Sequence, residues 1–167
     1  MKRFLIQLIG LSLIFSLCAC RTTGITDPLE LYDLEHGQLL TDSQALQRLQ
    51  RARIVLVGEH HNNADHHMAQ LQVIQALHGA GQKVAIGMEM FRQDSQQALD
   101  QWSSGQMKER RFMEVFNDNW TFGWKLYRPI LVYARDNRIP VVGLNVPRKL
   151  TLQVAYHGFQ SLSQEQK

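Results

Sequence analysis

The run Ile54-Val-Leu-Val57, closed by Gly58, constrains the fold more than any other stretch of the chain. Four successive apolar residues, mostly β-branched, read as a strand buried on both faces. Two further runs have the same form, 83–88 and 139–144, and each hands over to a polar residue, Glu89 and Asn145. Between them the apolar spacing turns helical. Positions 64, 68, 71, 74 and 77 lie on one helix face, with Asn62 or Asn63 before them as cap and Gly79 and Gly81 after them. The stretches 94–102 and 106–116 also read as helices, as do the segment from Pro129 to Asn137 and the one from Pro147 to His157. Strand and helix in alternation predict an α/β fold: a parallel sheet with three core strands and helices on both faces. Upstream, Thr41-x-x-Gln44 is a capping box opening a further helix, and 29–40 reads as a short hairpin turning at His36-Gly37.

The first residues follow a different logic. Met1-Lys2-Arg3 precedes an apolar run from Phe4 to Leu17 that is too short to span a bilayer, which is the form of a secretory signal peptide. It ends Leu17-Cys18-Ala19-Cys20, resembling the lipobox of bacterial lipoproteins, with cleavage before Cys20 and a lipid on its thiol. The expected organisation is therefore a signal peptide over 1–19, a lipid-anchored tether and hairpin over 20–40, and one α/β domain over 41–167. A Cys18–Cys20 disulfide would close a strained ring. Arg21 stands where an Asp would signal inner-membrane retention, so the expected location is the outer membrane, facing the periplasm. Without Lys2 and Arg3 the chain keeps 16 basic and 15 acidic residues, and no basic stripe is interleaved with aromatics. Nucleic acid is not an expected partner.

Chemistry concentrates where strands meet helices. Glu59, His60 and His61 follow the first strand directly, and His66 and His67 fall in the first turn of the next helix, so four of the seven histidines lie within eight residues. In open α/β sheets the carboxyl ends of strands are where ligands bind. A carboxylate placed there is costly to bury unpaired, so Glu59 and Glu89 together call for a metal, a histidine or a cationic ligand. The simpler reading is that each favours the N-terminus of the helix that follows. The histidine spacing matches no familiar zinc pattern, and His66 and His67 cannot both face one crevice. Trp120, Phe122, Trp124 and Tyr127 make a dense aromatic set that suits either a core or the lining of a flat cofactor. Tyr127, Tyr133 and Tyr156 can each offer a phenolate to ferric haem. Motifs of serine or cysteine nucleophiles and of phosphate loops are absent.

Four ordered blocks carry a resemblance: Val57-Gly-Glu-His-His-Asn-Asn-x-x-His-His67, Gly87-Met-Glu89-Met-Phe, the stretch from Trp120 to Tyr127 with Arg-Pro-Ile-Leu after it, and Gly143-Leu-Asn145-Val-Pro-Arg148. They resemble the ChaN-type haem-binding lipoproteins, relatives of the Tiki proteases and erythromycin esterases. The superfamily's Gly-x-x-His falls on Gly58–His61 and its glutamate on Glu89. The resemblance implies a protein of haem and iron acquisition that binds haem at a homodimer interface, with a tyrosine on the iron and a histidine from the other subunit at a propionate. It makes His60, His61, His67, Trp124, Tyr127 and Arg148 the candidate haem contacts, with Tyr127 the candidate iron ligand. Members of the family continue beyond the point where this sequence stops, so a further C-terminal portion with a closing strand is expected. The alternative is a hydrolase, metal-dependent or metal-free, in which Glu59, His61 and Glu89 serve as acid, base or ligands of a divalent metal.

Overall fold

The computed structural model describes residues 30–167. The expected signal peptide, the Cys20 anchor and most of the tether lie outside the described residues.

Local signals place the first elements. Strands β1 (Leu31–Asp33) and β2 (Gln38–Leu40) pair antiparallel around a turn in which Gly37 takes a φ of 64°, a left-handed value that glycine adopts without strain. The Asp33 carboxylate accepts the N–H groups of Glu35 and His36 and pairs with Arg48 at 2.5 Å. Arg48 belongs to helix α1 (Asp42–Arg51), so one carboxylate ties the hairpin to the helix. At the start of α1 both bonds of the Thr41–Gln44 capping box form. Helix α2 (Ala64–Gly79) begins at Asn63, whose side chain accepts from the N–H groups of Asp65 and His66.

The parallel sheet consists of β3 (Ile86–Arg92) and β4 (Val141–Asn145). β3 starts later than the sequence predicts and runs on through Glu89, because Met90 and Phe91 continue the buried face. Three helices lie between the two strands: α3 (Gln96–Ser103), α4 (Glu109–Asn119) and α5 (Trp124–Asp136). Ile86, Met88, Met90 and Val141 turn one sheet face toward a core completed by Leu99, Trp102, Phe112, Phe116, Tyr127 and Leu131. Trp102 stacks on Phe112 at 4.2 Å, and its indole N–H donates to the carbonyl of Leu131. On the other face Gly87, Glu89, Val142 and Leu144 are open among the described residues. Helix α6 (Arg148–His157) follows β4, begins after Pro147 and stops at Gly158.

Two expectations are corrected. Helix α5 begins at Trp124 rather than at Pro129. Its cap is Gly123, in the left-handed region at a φ of 82°, and Pro129 sits inside the helix on an exposed position. The first predicted strand, 54–57, makes no ladder: its backbone passes without a strand partner, and Ile54 and Leu56 are 78% and 91% exposed. A strand is a property of a pair. The residues are of strand type, but no neighbouring strand lies within bonding reach among those described.

The two edges of the β3–β4 sheet differ. On the outer edge of β4, the Gln96 side-chain amide donates to the Val141 carbonyl and accepts from the Gly143 N–H, while Ser103 Oγ accepts from the Val141 N–H. Side chains close that edge. On β3, Ile86 bonds toward β4, so the alternate residues Ala85, Gly87 and Glu89 direct their backbone groups away from it, and these residues line a cleft with residues 54–58.

Candidate functional site

Residue 59 is where the unpaired segment 54–58 turns toward helix α2. The Glu59 side chain is 7% exposed, and its Oε1 accepts two hydrogen bonds, from His61 Nδ1 at 2.6 Å and from the Tyr127 hydroxyl at 2.8 Å. Oε2 is buried with no hydrogen-bond partner, and the nearest imidazole nitrogen, His67 Nε2, stands 3.5 Å away. Burial acts to raise the Glu59 pKa. The bonds from His61 and Tyr127, and the charges of His61 and His67, outweigh it and hold the carboxyl below its ordinary range. Glu59 is therefore a buried carboxylate with one oxygen engaged and one available.

The histidines around it divide by role. His67, in the first turn of α2, is buried with its ring edge-on to Tyr127 at 4.4 Å. Its Nδ1 faces Gln70 Oε1 and its Nε2 faces the carbonyl of His61, both at 3.2 Å. Each ring nitrogen thus has an oxygen within hydrogen-bond distance, which fixes the orientation of the ring. Gln70 also donates from Nε2 to the carbonyl of Val57, which pins the approach to Glu59. His66 turns outward and accepts the His60 N–H on Nδ1, and the two rings lie 5.3 Å apart. His61, half exposed, carries Trp120 against it edge-on at 5.0 Å and Phe122 at 6.0 Å. His61 is thus the polar group that joins the buried carboxylate to the surface.

Tyr127 takes a place the sequence does not reveal. It is fully buried in the core, and burial and the Glu59 contact both push its phenol well above the usual range. A phenol so placed donates a hydrogen bond and does not present an iron-binding phenolate; in this conformation the candidate iron ligand is a core residue. Trp124 packs on Phe116 at 5.2 Å and belongs to the core as well. Arg148 is exposed at the first position of α6, away from the Glu59 cluster in sequence and element. Glu89 is exposed on the open sheet face and lies near enough to Tyr127 for its charge to raise that phenol further. Glu59, His61 and Glu89 all line one cleft of about 770 Å³ between residues 53–58 and β3.

The cluster is not arranged as a ready metal site. Among the described residues, the acidic and imidazole groups close enough to share a cation are Asp33, Glu35 and His36, and Asp33 is already held by Arg48. Tyr127, which bonds to Glu59, and Gln70, which bonds to His67, were beyond sequence reasoning for different reasons. Tyr127 is 68 positions from Glu59. Gln70 sits three residues after His67 on the same helix, and that spacing is the signal that could have found it.

Residues 45–167, most of the chain, match the family described as haem-binding uptake, Tiki superfamily, ChaN. The chain belongs to the ChaN family. The solved structure described as cofacial heme binding to ChaN of Campylobacter jejuni superposes with a TM-score of 0.67 at 20% identity, covering 80% of this chain and 55% of that one. At that identity the likeness is one of fold. Protein RETICULATA-RELATED 5, chloroplastic, of Arabidopsis thaliana is 25% identical over 128 residues, which span 72% of this chain and 17% of the plant protein. The chain thus spans little more than half of the ChaN structure and less than a fifth of the plant relative. The ChaN family match begins within α1 and takes in the whole Glu59 cluster, both sheet strands and α6.

Proposed function

We propose that this chain binds ferric haem in haem and iron uptake, held at the cell envelope by lipid on Cys20 and working as a homodimer with haem between the subunits. The family match over residues 45–167 carries the reading. The α6 surface suits it. Of the tyrosines weighed as ligands, Tyr127 is buried and donates to Glu59, and Tyr133 is half-buried against His78 Nδ1 at 3.0 Å, with burial raising its phenol. Tyr156, on α6, is 78% exposed. Near it in sequence lie the exposed Leu152 and Phe159, which can meet a flat apolar ring, and Arg148, Lys149 and His157, which can meet anionic propionates. These residues fit haem, and Tyr156 is the iron ligand in this reading. An anionic phenolate favours ferric over ferrous iron, so reduction releases the cargo.

The test is hemin titration followed by absorbance and size. Wild type should show a saturable Soret shift of high-spin ferric type, dithionite should weaken it, and dimers should accumulate. Tyr156→Phe should abolish the shift while Tyr127→Phe keeps it, and the opposite result would reassign the ligand. Labelled palmitate should enter wild type but not Cys20→Ser. The buried Glu59 with a free Oε2 beside His61 favours a second reading, a hydrolase using that pair. Stoichiometric zinc with no Soret shift would install it in place of haem.

A further inference from the structure

We infer that the outer face of the β1–β2 hairpin, formed by Tyr32, Leu34 and Leu39, rests on the head-group layer of the membrane that holds the lipid on Cys20. The inference rests on the lipid-anchor reading and adds an orientation to it. It does not depend on haem, and the hairpin lies upstream of the family match over residues 45–167.

The two faces of the hairpin differ in what they meet. Residues opposite one another in an antiparallel pair share a face, and the faces alternate along the strands. Leu31 with Leu40, and Asp33 with Gln38, therefore share one face. On it Leu40 and Asp33 are buried, Leu31 and Leu40 line the space against Ala45 and Leu49 of α1, and Asp33 is tied to Arg48. The remaining pair, Tyr32 with Leu39, lies on the opposite face, and each residue is 58% exposed. Leu34, at the turn, is 89% exposed. A Cβ at Gly37 would stand 3.7 Å from the Tyr32 hydroxyl, so the ring lies along the hairpin with its polar end over the turn. An antiparallel pair with one buried face ordinarily carries polar residues on the other. A lone exposed leucine needs no explanation, but here both members of the outward pair and the tip are apolar.

Chain length names the occupant. Residues 21–29 separate Cys20 from Glu30, the residue before β1. That span reaches at most about 35 Å, so lipid at Cys20 keeps the hairpin within that distance of the bilayer. The hairpin is also the first described element that the anchor meets along the chain. A tyrosine with a polar end, beside two leucines, is the composition that settles at the boundary between head groups and acyl chains. Glu30 and Glu35 put exposed carboxylates next to the patch, so it suits zwitterionic head groups better than anionic ones. The lipid limits distance alone. A second contact at the hairpin sets which side of the domain faces the membrane.

The experiment puts an environment-sensitive fluorophore on the lipidated protein in phosphatidylcholine vesicles. In the anchor reading Cys18 leaves with the signal peptide and the Cys20 thiol carries lipid, so Leu34→Cys supplies the one reactive thiol. Gln101→Cys, exposed on α3, is the control. At position 34 the emission should shift to the blue and be quenched several-fold by phosphatidylcholine bearing a nitroxide near its head group. At position 101 neither should happen. Replacing part of the lipid with phosphatidylglycerol should weaken the quenching at 34, and stronger quenching there overturns the choice of head group. Adding Tyr32→Ser and Leu39→Ser to Leu34→Cys should return the fluorophore to water, with circular dichroism to check the fold. The two single-thiol proteins keep Tyr32 and Leu39 and decide the matter even if that variant does not fold. No quenching at 34, or equal quenching at the two positions, overturns the proposal and leaves the anchor standing. A reactive thiol in wild type shows Cys20 to be free, which removes the anchor and this inference with it. A blue shift at 34 without quenching shows that protein covers the face, a second copy or a further portion of the chain, and overturns the proposal as well.

Discussion

Tyr127 and Glu59 hold each other in states neither would keep alone. Removing the hydroxyl in Tyr127→Phe leaves a buried carboxylate with one donor fewer and nothing in its place. The expected cost is about 2 kcal/mol of unfolding free energy, read by urea denaturation. The Glu59 pKa is lowered in the folded state, so its contribution is complete above the unfolded carboxyl value of about 4.3 and is lost as pH falls through the folded value. Wild type should therefore lose stability on acidification below about pH 4 more steeply than Glu59→Gln, which lacks that titration. Two glycines make a second contrast at this scale. A Cβ at Gly143 would stand 2.7 Å from the backbone oxygen of Arg92, which cannot step aside. One at Gly87 would meet the tip of Leu144 at 2.9 Å, an exposed side chain free to rotate. Gly143→Ala should cost about 2 kcal/mol by the same measurement, and Gly87→Ala much less.

Elements were legible where their cause is local. The Thr41–Gln44 box, the Asn63 cap and the turn at His36-Gly37 depend on residues within one turn of each other, and all form. Thr41→Ala should weaken the protein by about 1 kcal/mol, visible as a lower thermal midpoint. The Asp33 bridge adds a pH signature to the same region. Arg48 above all, with His36, holds the Asp33 carboxyl down at about 2, against burial, so the tie of hairpin to α1 is complete above pH 4 and fails only as pH falls toward 2. Hydrogen exchange in β1 and β2 should accelerate over that window while the β3–β4 core stays protected. Helix α5 was misplaced because a proline reads as a helix start. Here the exposed Pro129 sits within a helix held by the buried Tyr127, Ile130, Leu131 and Ala134. The 54–57 strand failed for the opposite reason. Its composition was read correctly, but strand pairing is decided by a neighbour that no local pattern contains. The candidate site divides the same way: Glu59 and His61 are two residues apart and could be picked out together, whereas Tyr127 arrives by the packing of α5.

For the whole molecule, the weight of structure is lopsided. The aromatic core of α3, α4 and α5 covers one sheet face, while Ile54, Leu56, Val142 and Leu144 remain open on the other side. Large exposed apolar surface and an unpaired strand edge both favour association. Leu56→Lys should reduce concentration-dependent association in analytical ultracentrifugation while leaving the urea midpoint nearly unchanged, because the leucine is almost fully solvated.

The edge contact between His61 and Trp120 also makes the molecule its own optical gauge. An incoming group that parts the two rings changes the surroundings of the Trp120 indole, so its emission should change when a ligand reaches His61. Trp102 is sealed beneath Phe112 and the Arg135 guanidinium, so its emission should stay constant through such events. With the third tryptophan removed in Trp124→Phe, one chain would carry both a signal lamp and its reference, and events at Glu59 could be followed by light without attaching a dye.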